Sequence, residues 1–283
     1  MSRFRQPSFF MRLSGKGKAK QRNIMKFGLI GNPIAHSLSP ALFKAGYDGR
    51  WLYELIEGSD FESSFKRFID EYQGINVTAP FKEAAFAKAD VLSEECRMIG
   101  AANILVKTPE GILACNSDYL GVRRWLQERG AGRGTRILIA GCGGAGKAAA
   151  FASASLGCTT LLMNRDRAKA EAIASKADGK LTFEVADLED FRKHLRHSDI
   201  LIYNIPSPIP ALSQLESSDF SRGTVVLEAN YRNPSFCGET LDVMDSAGAS
   251  YTGGKLWLLY QALTGYRIFT GEEPDLTKMS ACL

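Results

Sequence analysis

The sequence predicts an α/β protein made of two successive units, each a mainly parallel sheet flanked by helices. Three observations predict it. From Lys26 onward, apolar runs of strand length alternate with amphipathic stretches of helix length. A glycine cluster, Gly130-Ala131-Gly132-Arg133-Gly134, breaks that alternation and marks a boundary near residue 130. With 283 residues, 45% of them hydrophobic, the chain has enough apolar side chains for two cores.

In the first unit, strands are expected at Phe27–Ile30, Leu52–Ile56, Ile75–Thr78, Ala102–Val106 and Ile112–Cys115, where β-branched and aromatic residues gather between turn formers. Pro40–Tyr47 and Phe61–Tyr72 carry helical periodicity between them. Thr108-Pro109-Glu110-Gly111 is a turn of hairpin length, so an antiparallel edge is expected on this otherwise parallel sheet. Tyr119–Arg129 reads as a helix stopped by the glycine cluster. The second unit then offers strands at Arg136–Ala140, Thr160–Met163, Leu181–Val185, Ile200–Tyr203, Thr224–Glu228 and Ser250–Thr252. The last pattern, Lys255–Ile268, is helical and is expected to cross back to the first unit.

Charge and cysteine usage narrow the function classes. The net charge is +4, but residues 1 to 24 carry Arg3, Arg5, Arg12, Lys16, Lys18, Lys20 and Arg22 and no acid, so the remaining body sits near −3. That balance gives no basic face for nucleic acid. The segment has no apolar run long enough for a signal peptide or a membrane span. It is expected to be a disordered basic extension ahead of Met25, although its acid-poor character also suits a transit peptide. Cys96, Cys115, Cys142, Cys158, Cys237 and Cys282 form no CxxC pair, and His36, His194 and His197 show no metal-ligand spacing. Reduced thiols in a cytoplasmic protein without a metal are the expectation. His194 and His197 read as a solvated helix face beside Arg192 and Arg196.

Arg136–Ala140 runs directly into Gly141-Cys142-Gly143-Gly144-Ala145-Gly146 and then into an alanine-rich helical stretch, so the GxGxxG pattern lies between strand and helix as a dinucleotide loop requires. Gly141 permits the tight turn, Gly143 lets a pyrophosphate approach, and Gly146 allows close packing. Gly144 and Ala145 open the helix, whose free N–H groups attract phosphate. This assigns the second unit to the Rossmann NAD(P)-binding class. The next strand ends at Asn164-Arg165 rather than at an acid for the ribose hydroxyls, and Arg165, Arg167 and Lys169 can meet a 2′-phosphate, which favours NADP over NAD. Asp166 keeps NAD possible. Gly141–Lys147 also fits a phosphate-binding P-loop, but Ala148 stands where that loop needs a hydroxyl for Mg²⁺.

In the first unit, Asn76-Val77-Thr78-Ala79-Pro80-Phe81-Lys82 ends a strand in a polar cluster with a lysine just beyond it. Asn103 and Asn116-Ser117-Asp118 supply two more polar strand ends. Such a set suits reduction of a carbonyl, because hydride delivery to carbon builds negative charge on oxygen and calls for a placed proton donor. Lys82 is the candidate donor and Asp118 the carboxylate that holds it. Each residue also has a structural reading: Ser39 before Pro40 and Asp118 before Tyr119 are good helix caps, Asn76, Thr78 and Asn103 can satisfy nearby backbone, and Gln261 can face solvent.

These motifs, with Gly31-Asn32-Pro33-Ile34-Ala35-His36-Ser37-Leu38-Ser39-Pro40, Gly100-Ala101-Ala102-Asn103 and Gln261-Ala262, resemble the shikimate dehydrogenase family over nearly all of residues 26 to 280. The resemblance implies an N-terminal substrate-binding domain over residues 25–130, a Rossmann cofactor domain over 131–254, and a segment, 255–283, returning toward the first. It implies reversible reduction of 3-dehydroshikimate to shikimate with NADPH, in aromatic amino-acid biosynthesis. By resemblance Lys82 and Asp118 are catalytic, Ser37 and Ser39 receive the substrate carboxylate with Tyr231 nearby, and Asn76, Thr78, Asn103 and Gln261 meet ring oxygens. Gly254 joins Gly141, Gly143, Gly144, Ala145, Gly146, Asn164 and Arg165 on the cofactor side. The expected partner is a small molecule, 3-dehydroshikimate or shikimate, with no nucleic acid and no membrane, in a monomer or homodimer. Three departures stand out: Asn164-Arg165-Asp166 for Asn-Arg-Thr, Asn204-Ile205-Pro206-Ser207 for Asn-Ala-Thr-Pro, and Lys255 after Gly253-Gly254, a lysine that would face the substrate carboxylate or the cofactor. An NAD-preferring quinate/shikimate dehydrogenase and a non-catalytic shikimate sensor are the alternatives.

Overall fold

The first sheet forms where β-branched and aromatic residues alternate between two cores. The computed structural model describes residues 25–177 and 181–283; the expected basic extension over residues 1 to 24 lies outside them. Strands β1 (Lys26–Gly31), β2 (Leu52–Glu57), β3 (Gly74–Val77), β4 (Val91–Leu92), β5 (Ile104–Thr108) and β6 (Gly111–Cys115) assemble in the order β2-β1-β3-β5-β6-β4. Along β5, Ile104 and Val106 enter one core and Leu105 the other, as a period of two requires. The hairpin between β5 and β6 forms, but it does not make an antiparallel edge. β5 runs antiparallel to both β3 and β6 inside the sheet, and two-residue β4 adds parallel to β6 as the true edge.

Helices α1 (Ser39–Gly46), α2 (Phe61–Glu71), α3 (Lys82–Ala87), α4 (Glu94–Ile99) and α5 (Ser117–Glu128) surround this sheet. Phe61, Phe68 and Ala85 cover the face lined by Ile30, Ile75 and Val77. The short β4 and α4 were not expected from the sequence, because two and six residues carry too little periodicity to read.

The second sheet consists of β7 (Arg136–Ala140), β8 (Thr159–Met163), β9 (Phe183–Ala186), β10 (Ile200–Tyr203), β11 (Val225–Glu228) and β12 (Ser250–Thr252), ordered β12-β11-β10-β7-β8-β9 with every pair parallel. Read from its other edge, this is the doubly wound order in which the first and fourth strands are neighbours, leaving a crevice at their carboxyl ends. Around it lie α6 (Gly144–Ser155), α7 (Arg167–Ala174), α8 (Phe191–Leu195) and α9 (Glu239–Ser246). α6 buries Ala148, Ala149, Ala150, Ala152 and Ala154, small side chains that let it lie close to both the sheet and α5.

α10 (Gly254–Thr270) is the helix that its periodicity predicted; it follows β12 and packs on α5, and α11 (Leu276–Ser280) packs on α1. Leu259, Leu263, Tyr266 and Phe269 of α10 join Phe27, Ile104 and Val106 in one core. Phe269 stacks on Phe27 with centroids 5.3 Å apart. Of the histidines expected on a solvated face, His197 is exposed and His194 half-buried, while the neighbouring Arg192 and Arg196 both bind the fully buried Asp219, at 2.6 and 2.7 Å.

Candidate active site

Lys82 opens α3 and Asp118 lies in the first turn of α5, two elements that flank the hairpin strand β5. The Lys82 Nζ is 2.6 Å from Asp118 Oδ2. The chain delivers both groups by backbone locking. Phe81 N donates to Thr78 O at 3.0 Å, turning the chain after β3, and Ala102 N donates to Lys82 O at 3.0 Å, tying α3 to the start of β5. The cap of α5 is Asn116, whose Oδ1 accepts from Tyr119 N at 3.1 Å. Asp118 is therefore released from capping, and the partial positive charge of the helix N-terminus favours its carboxylate.

Asp118 is only 4% exposed, a burial that an anion tolerates when donors surround it. Asn103 Nδ2 donates to Oδ2 at 3.0 Å, and Trp257 Nε1 donates to Oδ1 at 3.3 Å. Asn103 is itself oriented, because its Oδ1 accepts from Ser117 N at 2.7 Å. Lys82, less buried at 23% side-chain exposure, keeps its amine open to the cleft.

Around this pair, Asn76 Oδ1 accepts from Tyr53 Oη at 2.7 Å, and Asn76 Nδ2 reaches Asn103 O at 3.4 Å. Burial pushes the Tyr53 hydroxyl well above the usual tyrosine range, so it stays a donor. Ser37 and Ser39 join through their hydroxyls at 3.1 Å. Ser39 is not the cap of α1: Leu38 holds that position, Ser39 begins the helix, and Ser37 Oγ accepts the Ser39 N–H at 3.2 Å. Tyr266 Oη donates to Ser39 O at 2.9 Å, fixing the serine pair to α10. Thr78 is half-buried just beyond β3, with its N–H on Ile30 O at 2.9 Å. Gln261 is half-buried on α10 rather than free in solvent. Tyr231 follows β11, and packs against the first-unit core that holds Leu258 and Leu259; burial raises its hydroxyl above the usual range.

The glycine loop has the form that the sequence demands. Gly141 has φ +94°, and a Cβ on Gly146 would fall 1.8 Å from Gly141 O, so α6 could not start here with any other residue. A side chain at Gly143 or Gly144 would meet no heavy atom within 4 Å, leaving those positions open to a ligand backbone approach. Asn164 Oδ1 accepts from Cys142 N at 2.9 Å and clamps the loop to the end of β8. Arg165 is exposed next to it. Arg167 is already paired with Glu171 at 2.8 Å and Asp187 at 2.6 Å. Gly254 sits where a Cβ would come within 2.5 Å of Ala229 O, which places it on the chain after β11 and not on the glycine loop.

Lys255 lies on the exposed side of α10 and donates to Leu283 O. Two residues of the polar cluster escaped the sequence reading, Tyr53 and Trp257. The signals were present: Tyr53 lies inside a predicted strand beside an apolar alternation, and Trp257 stands one helical turn before Gln261. At the seam of the two units, Lys176 Nζ donates to Met98 O at 3.0 Å, and burial followed by the nearby Lys176 charge holds the Lys147 amine below the usual lysine range.

Comparison with known proteins gives a consistent picture. Residues 29–105 match the family model of the shikimate dehydrogenase substrate binding domain, and residues 126–225 match that of shikimate / quinate 5-dehydrogenase. The chain is 32% identical to the shikimate dehydrogenase (NADP(+)) of Halobacterium salinarum over 268 residues, covering 91% of this chain and 97% of the relative. Among solved structures, shikimate dehydrogenase of Mycobacterium tuberculosis is 29% identical with a TM-score of 0.77, covering 91% of this chain and 98% of that one. Shikimate 5-dehydrogenase of Thermus thermophilus, solved with NADP(H) and shikimate, is 27% identical with a TM-score of 0.77, covering 92% and 98%.

Proposed function

The chain belongs to the shikimate dehydrogenase family, and we propose that it reduces 3-dehydroshikimate to shikimate with NADPH, reversibly, as a step of the shikimate pathway that leads to aromatic amino acids. The observation that carries this reading is the Lys82–Asp118 pair, an ammonium and a buried carboxylate 2.6 Å apart beside a cluster of short polar side chains. A polyol ring with one carboxylate needs such directed polar groups.

NADPH, when bound, supplies the hydride that adds to the carbonyl carbon. Gly141, Gly143, Gly144, Ala145 and Gly146 suit its pyrophosphate, because the open positions above Gly143 and Gly144 and the N-terminus of α6 leave room and positive potential there. Asn164 steadies the loop and Arg165 meets the 2′-phosphate. Lys82 holds a proton toward the carbonyl oxygen and releases it as negative charge develops. Asp118 keeps the amine in place and accepts a hydrogen bond from the neighbouring ring hydroxyl. Asn103 and Asn76, fixed by Ser117 and Tyr53, orient the ring; Ser37, Ser39 and Tyr231 receive the carboxylate, and Thr78 and Gln261 meet further oxygens.

The division of labour follows the two sheets. Residues 25–130 bind and protonate the substrate, 131–254 bind the dinucleotide, and 255–283 bolt the second unit onto the first. Among the described residues no helix is long and apolar enough to cross a membrane, and the ligands called for are small molecules. The test is direct: purified protein mixed with shikimate and NADP should produce the reduced-nicotinamide absorbance band. Binding of shikimate with no band under any cofactor would refute the reading in favour of a sensor.

A further inference from the structure

We propose that Trp257 is a positioning residue of this reaction: its indole N–H fixes the second oxygen of Asp118, so that the carboxylate offers one remaining acceptor direction to one substrate hydroxyl. The role rests on the proposed function and adds a residue to it. An ionised carboxylate has about four lone-pair directions. On Oδ2, Lys82 at 2.6 Å and Asn103 at 3.0 Å take two of them. On Oδ1, Trp257 Nε1 at 3.3 Å takes a third. The one that remains is on Oδ1, so the indole decides where a substrate hydroxyl can bind.

The ring is held well enough to do this. Trp257 is 6% exposed and lines a small apolar cavity with Gly121, Val122, Trp125, Leu227 and Tyr260. Val122 comes from α5 and Leu227 from β11, so both units press on the indole. An indole offers one donor and accepts nothing. Its neighbour Trp125, in the same cavity, has a buried Nε1 with no hydrogen-bond partner among the described residues, so packing in this place does not by itself require the N–H to be satisfied. Trp257 also lies one turn from Gln261 on the same face of α10. The direction of the carboxylate is thereby tied to a side chain wedged between the substrate unit and the cofactor unit.

The test separates the N–H from the bulk of the ring. Replacing Trp257 by its benzothienyl isostere keeps the shape and deletes the donor. The expected result is a fall in kcat/KM for shikimate of about 10-fold, shared between a lower kcat and a higher KM, with the thermal midpoint unchanged. The second readout is spectroscopic. Protein labelled with ¹⁵N-tryptophan gives three indole signals, for Trp51, Trp125 and Trp257; the one missing in W257F should move in D118N. Isostere kinetics within twofold of the unmodified protein, or an indole signal indifferent to D118N, would overturn the proposal. No turnover of shikimate by the unmodified protein would sink the reaction and this role with it, while the indole signal would still report the bond itself.

Discussion

Asp118→Asn is the substitution that the site geometry predicts most fully. The asparagine can place its oxygen at the Oδ2 position, keeping Lys82 and Asn103 but turning an NH2 onto the Trp257 N–H, or it can flip and lose both of the former. The first orientation is less costly, because it sacrifices one donor and not two. The Lys82 charge then has no counter-ion. Removing one member of a buried pair costs the fold about 3–5 kcal/mol, and since the Lys82 side chain is 23% exposed, water recovers part of that, so a loss of stability of at most about 3 kcal/mol is expected in thermal unfolding. Because Asp118 also holds the Lys82 amine in place, its loss should lower kcat by about 10²-fold, the scale of losing one placed polar group in a transition state. The assay is steady-state NADP reduction with shikimate, with thermal unfolding run alongside to show that the fold survives. Because the two groups act as a unit, K82M/D118N should be hardly slower than either single variant. A D118N enzyme within threefold of the original kcat, or a double variant whose losses multiply, would refute the pairing.

Other perturbations reach separate parts of the molecule. Gly146→Ala puts a methyl group 1.8 Å from Gly141 O, so the loop must open; the KM for NADP should rise by 10-fold or more and the melting midpoint should drop, as read by kinetics and calorimetry. Arg165→Ser should raise the KM for NADP at least 10-fold while leaving that for NAD nearly unchanged, whereas Arg167→Ser should do little to either, since Arg167 already serves Glu171 and Asp187. For Asp219, burial works to raise the carboxyl pKa, but the Glu216 N–H and the Arg192 and Arg196 guanidinium groups outweigh it and hold it below the usual range. A depressed folded-state value gives stability that is present above the unfolded pKa of about 4 and is lost as pH falls through the folded one. Asp219→Asn should therefore lower the melting midpoint at pH 7 and have a much smaller effect near pH 2, a difference that thermal scans at the two pH values would measure.

The parts of this fold legible in the sequence are those whose physics is local and repeated. The strands of the second sheet were visible because short runs of apolar residues stand between polar or glycine-bearing turns, as in Arg136–Ala140 before Gly141 and Ile200–Tyr203 before Asn204. α10 was legible as a packed helix because one that buries Trp257, Leu259, Leu263 and Tyr266 must have a partner on each side. What stayed hidden was set by tertiary contact. The inside position of β6 depends on β4, whose two residues have no period to detect. Ser39 looked like a cap because Ser-Pro is the right dipeptide for one, yet the helix starts a residue early and the serine turns to Ser37. Lys255 was a departure after Gly253-Gly254 whose partner could not be read, and the fold shows only that it is exposed on α10 beside Leu283. Tyr53 and Trp257 were invisible as site residues because aromatic side chains in strands and helices are ordinary core material until their polar atoms are seen to meet Asn76 and Asp118.

Acid–base geometry and cofactor geometry are separable in this architecture, and the reason lies in which elements carry them. Lys82 and Asp118 both project from elements that are bound to the first sheet, α3 through Ala102 N and α5 through Asn103 and Asn116, so their 2.6 Å contact does not depend on where the second sheet sits. The glycine loop, by contrast, is tied to β8 through Asn164 and to β10 through Asn204 N on Ala140 O at 2.7 Å. Besides the α5–α6 packing and the Lys176–Met98 bond, the two are connected by α10, with Gly254 pressed on the chain after β11 at one end and Tyr266 bonded to Ser39 at the other. On the proposed mechanism, a small shift of the second unit about that helix would alter the approach of hydride to carbonyl carbon while leaving the Lys82–Asp118 pair in register. Variants of the glycine loop should accordingly be read in cofactor KM and variants of the polar cluster in kcat, and Trp257, touched by both units, is the residue at which the two kinds of effect should mix.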